Sequence, residues 1–246
     1  MHLALGEAIL DGNSLPQAVR HLLVQQRGSF LLGHTAPDVQ AVSQQPREQT
    51  HFYSIPRTTR RPAYEALFAA HPRLCRASGL PPAQVAFVAG YIAHLLLDEL
   101  WLEYIFERYF LQEWGPLHER LFLHNVLRTW MDRQDQRRLN GSLVAALRGA
   151  HPAGWLPFVS DKHLYRWRDW LIEQLMPGHQ VQTAEVFARR MGVPVADVEA
   201  VLRSPQQMEA RLFCHLPQTA LQSFQNVGYE RSVALIRRYV DPSTRR

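Results

Sequence analysis

Apolar residues recur at three- and four-residue spacing along almost the whole chain, and the alternating, valine-rich runs that mark strands are missing. This pattern predicts an all-α protein. Residues 2–11 and 16–26 read as amphipathic helices, separated by the turn Asp11-Gly12-Asn13-Ser14, which caps the second. Residues 28–38 are apolar until Thr35-Ala36-Pro37-Asp38 closes the run, and the polar stretch 40–61 reads as a long functional loop. A helix over 62–78 has Pro62 in its first turn. From Ala83 to about residue 112 the pattern is apolar on several faces, the mark of a central buried helix entered through Leu80-Pro81-Pro82. Further helices are expected over 117–139, 142–149, 161–176 and 217–240, with a break at Asn140-Gly141, loops at 151–158 and 177–179, and a basic tail over 241–246. Residues 183–203 read as helix, Gly192 turn, helix. With no repeat, low-complexity stretch or clear linker, the chain reads as one all-helical domain over 1–246, with a core over 1–140 and a helical extension over 141–246.

Composition narrows the class. Of 246 residues, 46% are apolar, enough for a substantial core, and 20% are charged, too few for disorder. The net charge of +5 suits an anionic ligand such as a phosphate ester, or an acidic surface, and equally describes an ordinary basic soluble protein. Cys75 and Cys214 lack the paired spacing of a zinc-thiolate site. No basic-then-apolar leader opens the chain and its apolar runs fall short of a membrane span, so the expected location is cytoplasmic.

The candidate chemistry starts in the central helix. His94 and Asp98 are four apart and share a face, where an imidazole and a carboxylate can hold one metal ion or form a buried hydrogen-bonded pair. Asp38 follows Pro37 where the chain turns, and serves as a ligand or as a turn residue. His51 lies in the polar stretch between Thr50 and Phe52. His2 opens the first helix on the side of Leu5, Gly6 and Ile9; it reads as a ligand or as a frayed end. Two ions about 3.5–4 Å apart can bind both oxygens of a phosphate and generate a hydroxide between them, given a bridging carboxylate and histidines from separate segments.

Phe30-Leu31-Leu32-Gly33-His34-Thr35-Ala36-Pro37-Asp38, Thr50-His51-Phe52 and Gly90-Tyr91-Ile92-Ala93-His94-Leu95-Leu96-Leu97-Asp98 together resemble the zinc-dependent phospholipase C family. That family includes bacterial phosphatidylcholine-preferring phospholipases C and the catalytic domain of clostridial alpha-toxin, with zinc-dependent single-strand nucleases as distant relatives. The resemblance covers residues 2 to about 132. It implies an all-helical domain around a metal cluster and hydrolysis of phosphate esters. One zinc ion would be held by Asp38, His51, His94 and Asp98; Asp98 would bridge to a second ion, which His2 would also ligate. The family's third zinc uses a histidine six residues after the bridging aspartate and a later His-x-x-x-Glu. Tyr104 stands at the first position and Arg128 follows His124 by four, so the third site is absent or rebuilt, with His118, His124, Glu103 and Asp132 as candidates. The relatives also use a processed N-terminal residue as a ligand. The chain resembles a divergent intracellular branch whose substrate need not be a phospholipid.

The expected function is therefore metal-dependent phosphoester hydrolysis by a di-metal hydroxide, on a small phosphoester or a phospholipid head group, with a membrane surface as a further partner. Zinc is the metal implied; manganese or iron also suits two carboxylates and three histidines. Asp38 would orient or deprotonate water, His34 would carry a proton or support a ligand, and Arg47 and Arg57 would clamp phosphate oxygens. Trp155, Tyr165, Trp167 and Trp170 with neighbouring basic residues form either a surface-binding stripe or one face of a bundle helix. Two other readings stand beside this one. The first is a non-catalytic, metal-stabilised helical binding module. The second is a DNA reader built on 183–203 with Arg189 and Arg190, although the same residues describe a plain helical hairpin, the preferred reading, and a nucleic-acid partner is not expected.

Overall fold

The structure, a computed structural model, describes residues 1–137, 141–176 and 182–241. Asn140, the expected loop at 177–179 and the basic tail beyond residue 241 lie outside the described residues. Every regular element among those described is helical: α1 (His2–Asp11), α2 (Gln17–Gln25), α3 (Arg27–Gly33), α4 (Gln40–Ser43), α5 (Arg47–His51), α6 (Ala63–Ala70), α7 (Pro82–Trp101), α8 (Leu117–Gln136), α9 (Ser142–Arg148), α10 (Asp161–Leu175), α11 (Thr183–Met191), α12 (Val195–Arg203), α13 (Pro205–Met208) and α14 (Gln218–Val240). A tight turn at Ala36–Val39 links α3 to α4, and α7 continues into a wider coil of π type over Leu102–Phe110.

Proline sets most of the starts. It stands immediately before α2, α5, α6, α8, α12 and α14, where its missing N–H costs nothing because the first turn of a helix has no internal acceptor for it. This corrects the expected cap of α2: the helix follows Pro16 and no side chain caps it. The polar stretch 40–61 is not one loop. Pro46 starts α5, and Phe52, in the left-handed region at φ 60°, stops it after His51. Five residues are too few to display a helical period. The expected helix over 62–78 ends at Ala70, because Pro72 cannot continue it and two tight turns follow.

Two clusters of buried side chains form the core among the described residues. One cluster joins α2, α3, most of α7, α9, α10 and the end of α14; the other joins the end of α7, α8, α11, α12 and the front of α14. The helical hairpin α11–α12 turns at Gly192 (φ 67°) and lies on α8 through Phe187, Ala188, Val198 and Val201. Trp155 and Trp167 are buried, so the tryptophan stripe is mainly core. Cys75 and Cys214 are not joined by a disulfide. The expectation of no membrane-length segment also needs correction: the helical stretch Pro82–Phe110 is long and apolar enough to cross a bilayer by length and composition, with a mean hydropathy of 1.5. However, 89% of that window is buried in protein, and α3, α6 and α14 pack around α7, which accounts for its apolar character.

Helices α3 and α7 meet backbone to backbone. A Cβ on Gly33 would stand 2.0 Å from the Phe87 carbonyl oxygen, and one on Gly90 would stand 2.2 Å from that of Phe30. Only glycine permits this approach. Gly90→Ala is expected to destabilise the fold by about 1–3 kcal/mol or more through backbone displacement. Gly115→Ala, where an added Cβ meets nothing within 4 Å, is expected to stay within about 0.5 kcal/mol. Equal denaturant midpoints for the two variants would refute the close-contact account.

Candidate metal centre

Four elements deliver the sequence-predicted ligands. The Gly33–Gly90 contact holds the end of α3 against the middle of α7. Pro37 then turns the chain, and the Ala36–Val39 turn carries Asp38, fixed by the Asp38 N–H donating to the Thr35 carbonyl (3.0 Å). Thr35 Oγ1 in turn donates to the Leu32 carbonyl and accepts from Trp167 Nε1 of α10 (3.2 Å). Tyr91 of α7 donates to the Thr50 carbonyl (2.6 Å), seating α5 and with it His51. The Phe52 ring packs edge-on against Phe158, which holds the left-handed turn after His51. On α1, Gly6 lies against the His34 ring, and His2, one helical turn earlier, stacks on the His94 ring at 3.8 Å between centroids.

The structure thus brings His2, Asp38, His51, His94 and Asp98 together. His2 Nε2 is 3.4 Å from Asp98 Oδ1, and His51 Nε2 is 3.5 Å from both Asp38 Oδ1 and Asp98 Oδ2. His94 Nε2 is 3.8 Å from Asp98 Oδ2. The ligand atoms of His2, Asp38 and His94, and those of His51, His94 and Asp98, form two groups within 4.8 Å that share His94. These separations exceed a charge-assisted hydrogen bond of about 2.7–2.9 Å. They are close to the spacing of about 3.3 Å between atoms held at about 2.0–2.1 Å by one tetrahedral ion.

The outer hydrogen bonds decide what the inner nitrogens present. His94 Nδ1 lies 2.8 Å from the His34 carbonyl, which can only accept, so Nδ1 carries the proton. Thr50 Oγ1 spends its own proton on the Arg47 carbonyl, so His51 Nδ1, 3.0 Å away, must donate to that hydroxyl. Both rings therefore turn Nε2 toward carboxylate oxygens. Both Nε2 atoms are buried without a hydrogen-bond partner, as is His2 Nδ1. Lone pairs facing carboxylates are repulsive unless a cation lies among them. Fixing the tautomer through the far nitrogen is also how metal-ligating histidines are oriented.

Burial, with His2 beside it, lowers the His94 pKa to about 3, so the ring is neutral at physiological pH. Burial alone would raise the Asp38 and Asp98 carboxyls. For Asp38 the adjacent His51 and His94 outweigh it; for Asp98, His94 and then His2 do so, and both carboxyls stay below the usual range. Asp98 Oδ2 also accepts from Arg47 (2.8 Å), whose guanidinium covers the Tyr53 ring and donates to its hydroxyl (2.6 Å).

A cavity of about 300 Å³ opens from this cluster, walled by Arg47, Tyr53, Ile55, Trp101, Phe106, Arg128 and Arg190. A larger groove of about 890 Å³ between α10 and α11 shares Arg190 but contains no predicted ligand. His34 does not join the site as a proton carrier. Its ring is fully buried, lies outside the cavity wall, and is held neutral by burial; its contribution is the carbonyl that orients His94. Arg57 is likewise corrected: it pairs with Glu99 at 2.7 Å rather than facing the cavity. Of the third-site candidates, His124 Nε2 accepts from Trp101 Nε1 (2.9 Å), Asp132 binds the Met1 amine and Thr183, and His118 and Glu103 lie off the cavity wall. Tyr53, the role of Thr50 and the Tyr91 tether were not singled out from the sequence. Aromatic and hydroxyl side chains carry no pattern that separates such roles from core packing.

No family model matches the chain, and no curated protein and no solved structure matches it.

The neutral, buried histidines fix the sign of the acid response. His34 and His94 have folded-state pKa values below the unfolded value near 6.5. The unfolded chain therefore binds more protons as pH falls below about 6.5, and stability rises with pH from about 3 upward through that window. Asp38 and Asp98, with depressed folded pKa values, add stability above about pH 3.9 that is lost below it, with the same sign. In chelator, unfolding free energy is expected to fall from pH 7 to pH 4, with up to about 1.4 kcal/mol per pH unit from each histidine. His94→Gln should flatten the curve; a wild-type curve already flat would contradict the assignment.

Proposed function

We propose that the chain is a divalent-metal-dependent phosphoesterase of the zinc-dependent phospholipase C type. One observation carries the reading: two imidazole Nε2 atoms, their far nitrogens committed elsewhere, and two carboxylates converge at 3.5–3.8 Å, and neither Nε2 has a hydrogen-bond partner. Asp38, His51, His94 and Asp98 would hold one ion, and His2 and Asp98 a second. When bound, such ions supply Lewis acidity to a phosphoryl oxygen and acidify water.

The chain's own residues account for the rest. Asp38 has a side chain 45% exposed, against 0% for His51 and 20% for Asp98, so it is the carboxylate that solvent reaches. With its pKa depressed it acts as a ligand and an acceptor that orients water, rather than as a store of protons. Arg47, Arg128 and Arg190 place cationic donors for an anionic phosphoryl group on the cavity wall, which also carries Asp132 and the two candidate metal-binding aspartates. Ile55, Trp101 and Phe106 line it with apolar surface, which strengthens those electrostatic contacts by excluding water.

A metal-stabilised binding module is the second reading, and a specific observation favours it. His124 is committed to Trp101 and Tyr104 replaces the family's third-site histidine, so a hydrolytic cluster of three ions has no counterpart among the described residues.

Protein purified without added metal is expected to contain about two divalent ions per chain and to hydrolyse bis(4-nitrophenyl) phosphate or a phosphocholine ester. Chelation should abolish turnover, and His94→Ala should lower kcat/KM by more than about a hundredfold. Bound metal, a large drop in Tm on chelation and no turnover on such esters would favour the binding module. Activity that persists after complete demetallation would rule out the metal mechanism.

A further inference from the structure

Asp98 Oδ2 is the most contested atom in the site. Arg47 donates to it at 2.8 Å, while His51 Nε2 and His94 Nε2 face it at 3.5 and 3.8 Å. An ion ligated by those three groups and a guanidinium hydrogen-bonded to the same oxygen would be like charges competing for one lone-pair region. The arginine is also only half used. Its NH2 group serves Asp98 and Tyr53, but NH1 is buried without a hydrogen-bond partner. A guanidinium matches a carboxylate or phosphate with two parallel donors, so an idle buried NH1 beside a cavity is a donor lacking its anion.

Tyr53 supplies a second tether for Arg47, while its hydroxyl also donates a long hydrogen bond (3.4 Å) to Asp98 Oδ2. Its hydroxyl accepts from Arg47, and its ring lies 4.5 Å beneath the guanidinium carbon. An arginine leaving Asp98 thus has a shelf at the cavity wall. The helical register of α5 completes the arrangement. Arg47 is one turn before His51, so both lie on the same face of α5 and reach the same carboxylate.

We infer that Arg47 is an exchange residue: it neutralises Asp98 in the metal-free chain, yields that oxygen when metal binds, and turns its freed donors on a phosphoryl or phosphonyl oxygen of the ligand. Metal and anion then bind cooperatively, because each removes a competitor of the other. This deepens the phosphoesterase reading and rests on it.

Zinc affinity of the full chain, stripped of metal and measured by competition with a fluorescent chelator, tests the exchange with and without methylphosphonate. The wild-type protein should bind zinc more tightly when methylphosphonate is present. Arg47→Ala and Arg47→Gln should bind zinc at least about tenfold more tightly in its absence, having lost the competing cation, and should show no gain on adding it. Arg47→Lys, which keeps the charge without the planar fork, should hold zinc nearly as the wild type does but lose most of the anion-dependent gain. Melting curves in chelator identify any variant that has not folded, and the lysine variant covers that case. Zinc affinity that is unchanged or weaker in the alanine and glutamine variants, or an undiminished methylphosphonate effect in all three, would overturn the exchange while leaving the metal site standing. A wild-type chain that binds no zinc would sink the phosphoesterase reading itself.

Discussion

The candidate centre exists because two helices touch without side chains between them. Gly33 and Gly90 let the backbones of α3 and α7 approach until a methyl group on either would overlap a carbonyl oxygen of the other. The contact sets the spacing of α3 and α7 at backbone level. It brings the His34 carbonyl within 2.8 Å of His94 Nδ1, and so determines which nitrogen of His94 faces inward. It also places the Pro37 turn, and with it Asp38, beside the same face of α7. A helix separation wider by one methyl group would weaken the tautomer lock and spread the carboxylates together, since both depend on one spacing.

Beside that contact the two buried histidines of the cluster are satisfied at the outer nitrogen and unsatisfied at the inner one. His94 and His51 each have one nitrogen committed to a fixed acceptor and one facing carboxylates. Buried polar groups ordinarily find partners, and leaving one unmatched costs about 1–3 kcal/mol. Several unmatched nitrogens directed at a common point are therefore strain concentrated at one place. Strain of that kind persists when it is useful to a ligand. Outer bonds made and inner bonds withheld is the arrangement expected of a preorganised cation site, and it is hard to reconcile with a core network whose purpose is stability.

The sequence displays what has a period or a hard stereochemical rule. The span of α1 and the start of α14 just after Pro217 follow from apolar spacing and proline, and the i, i+4 relation of His94 and Asp98 follows from helical geometry alone. It does not display elements shorter than two turns. α5 carries His51 and Arg47 yet is only five residues long, and its boundaries come from Pro46 and from a left-handed Phe52 that tertiary packing against Phe158 enforces. The Arg47–Asp98 bond spans fifty-one positions and has no local signature. His34 misleads for the opposite reason: its spacing to Asp38 looks functional, while its ring is spent on packing and its backbone does the positioning.

Residues beyond 141 are part of the same construction, although the apparent motifs end near residue 132. Trp167 on α10 holds Thr35, and Thr35 holds the turn that carries Asp38. The Phe158 carbonyl accepts from Gln45 just ahead of α5, while its ring backs Phe52 just after it. Both tethers act on Asp38 and His51, the two candidate ligands that come from outside α1 and α7, in the segments with least helical structure of their own. Asp38 sits in a single tight turn and His51 in a five-residue helix, and neither element would keep its place in water unaided. Long α7 supplies its two candidate ligands, His94 and Asp98, by register alone. The short segments need the C-terminal helices to hold them, so the second half of the chain acts as scaffold for the first, and a fragment ending near residue 140 would retain the motifs without the geometry that joins them.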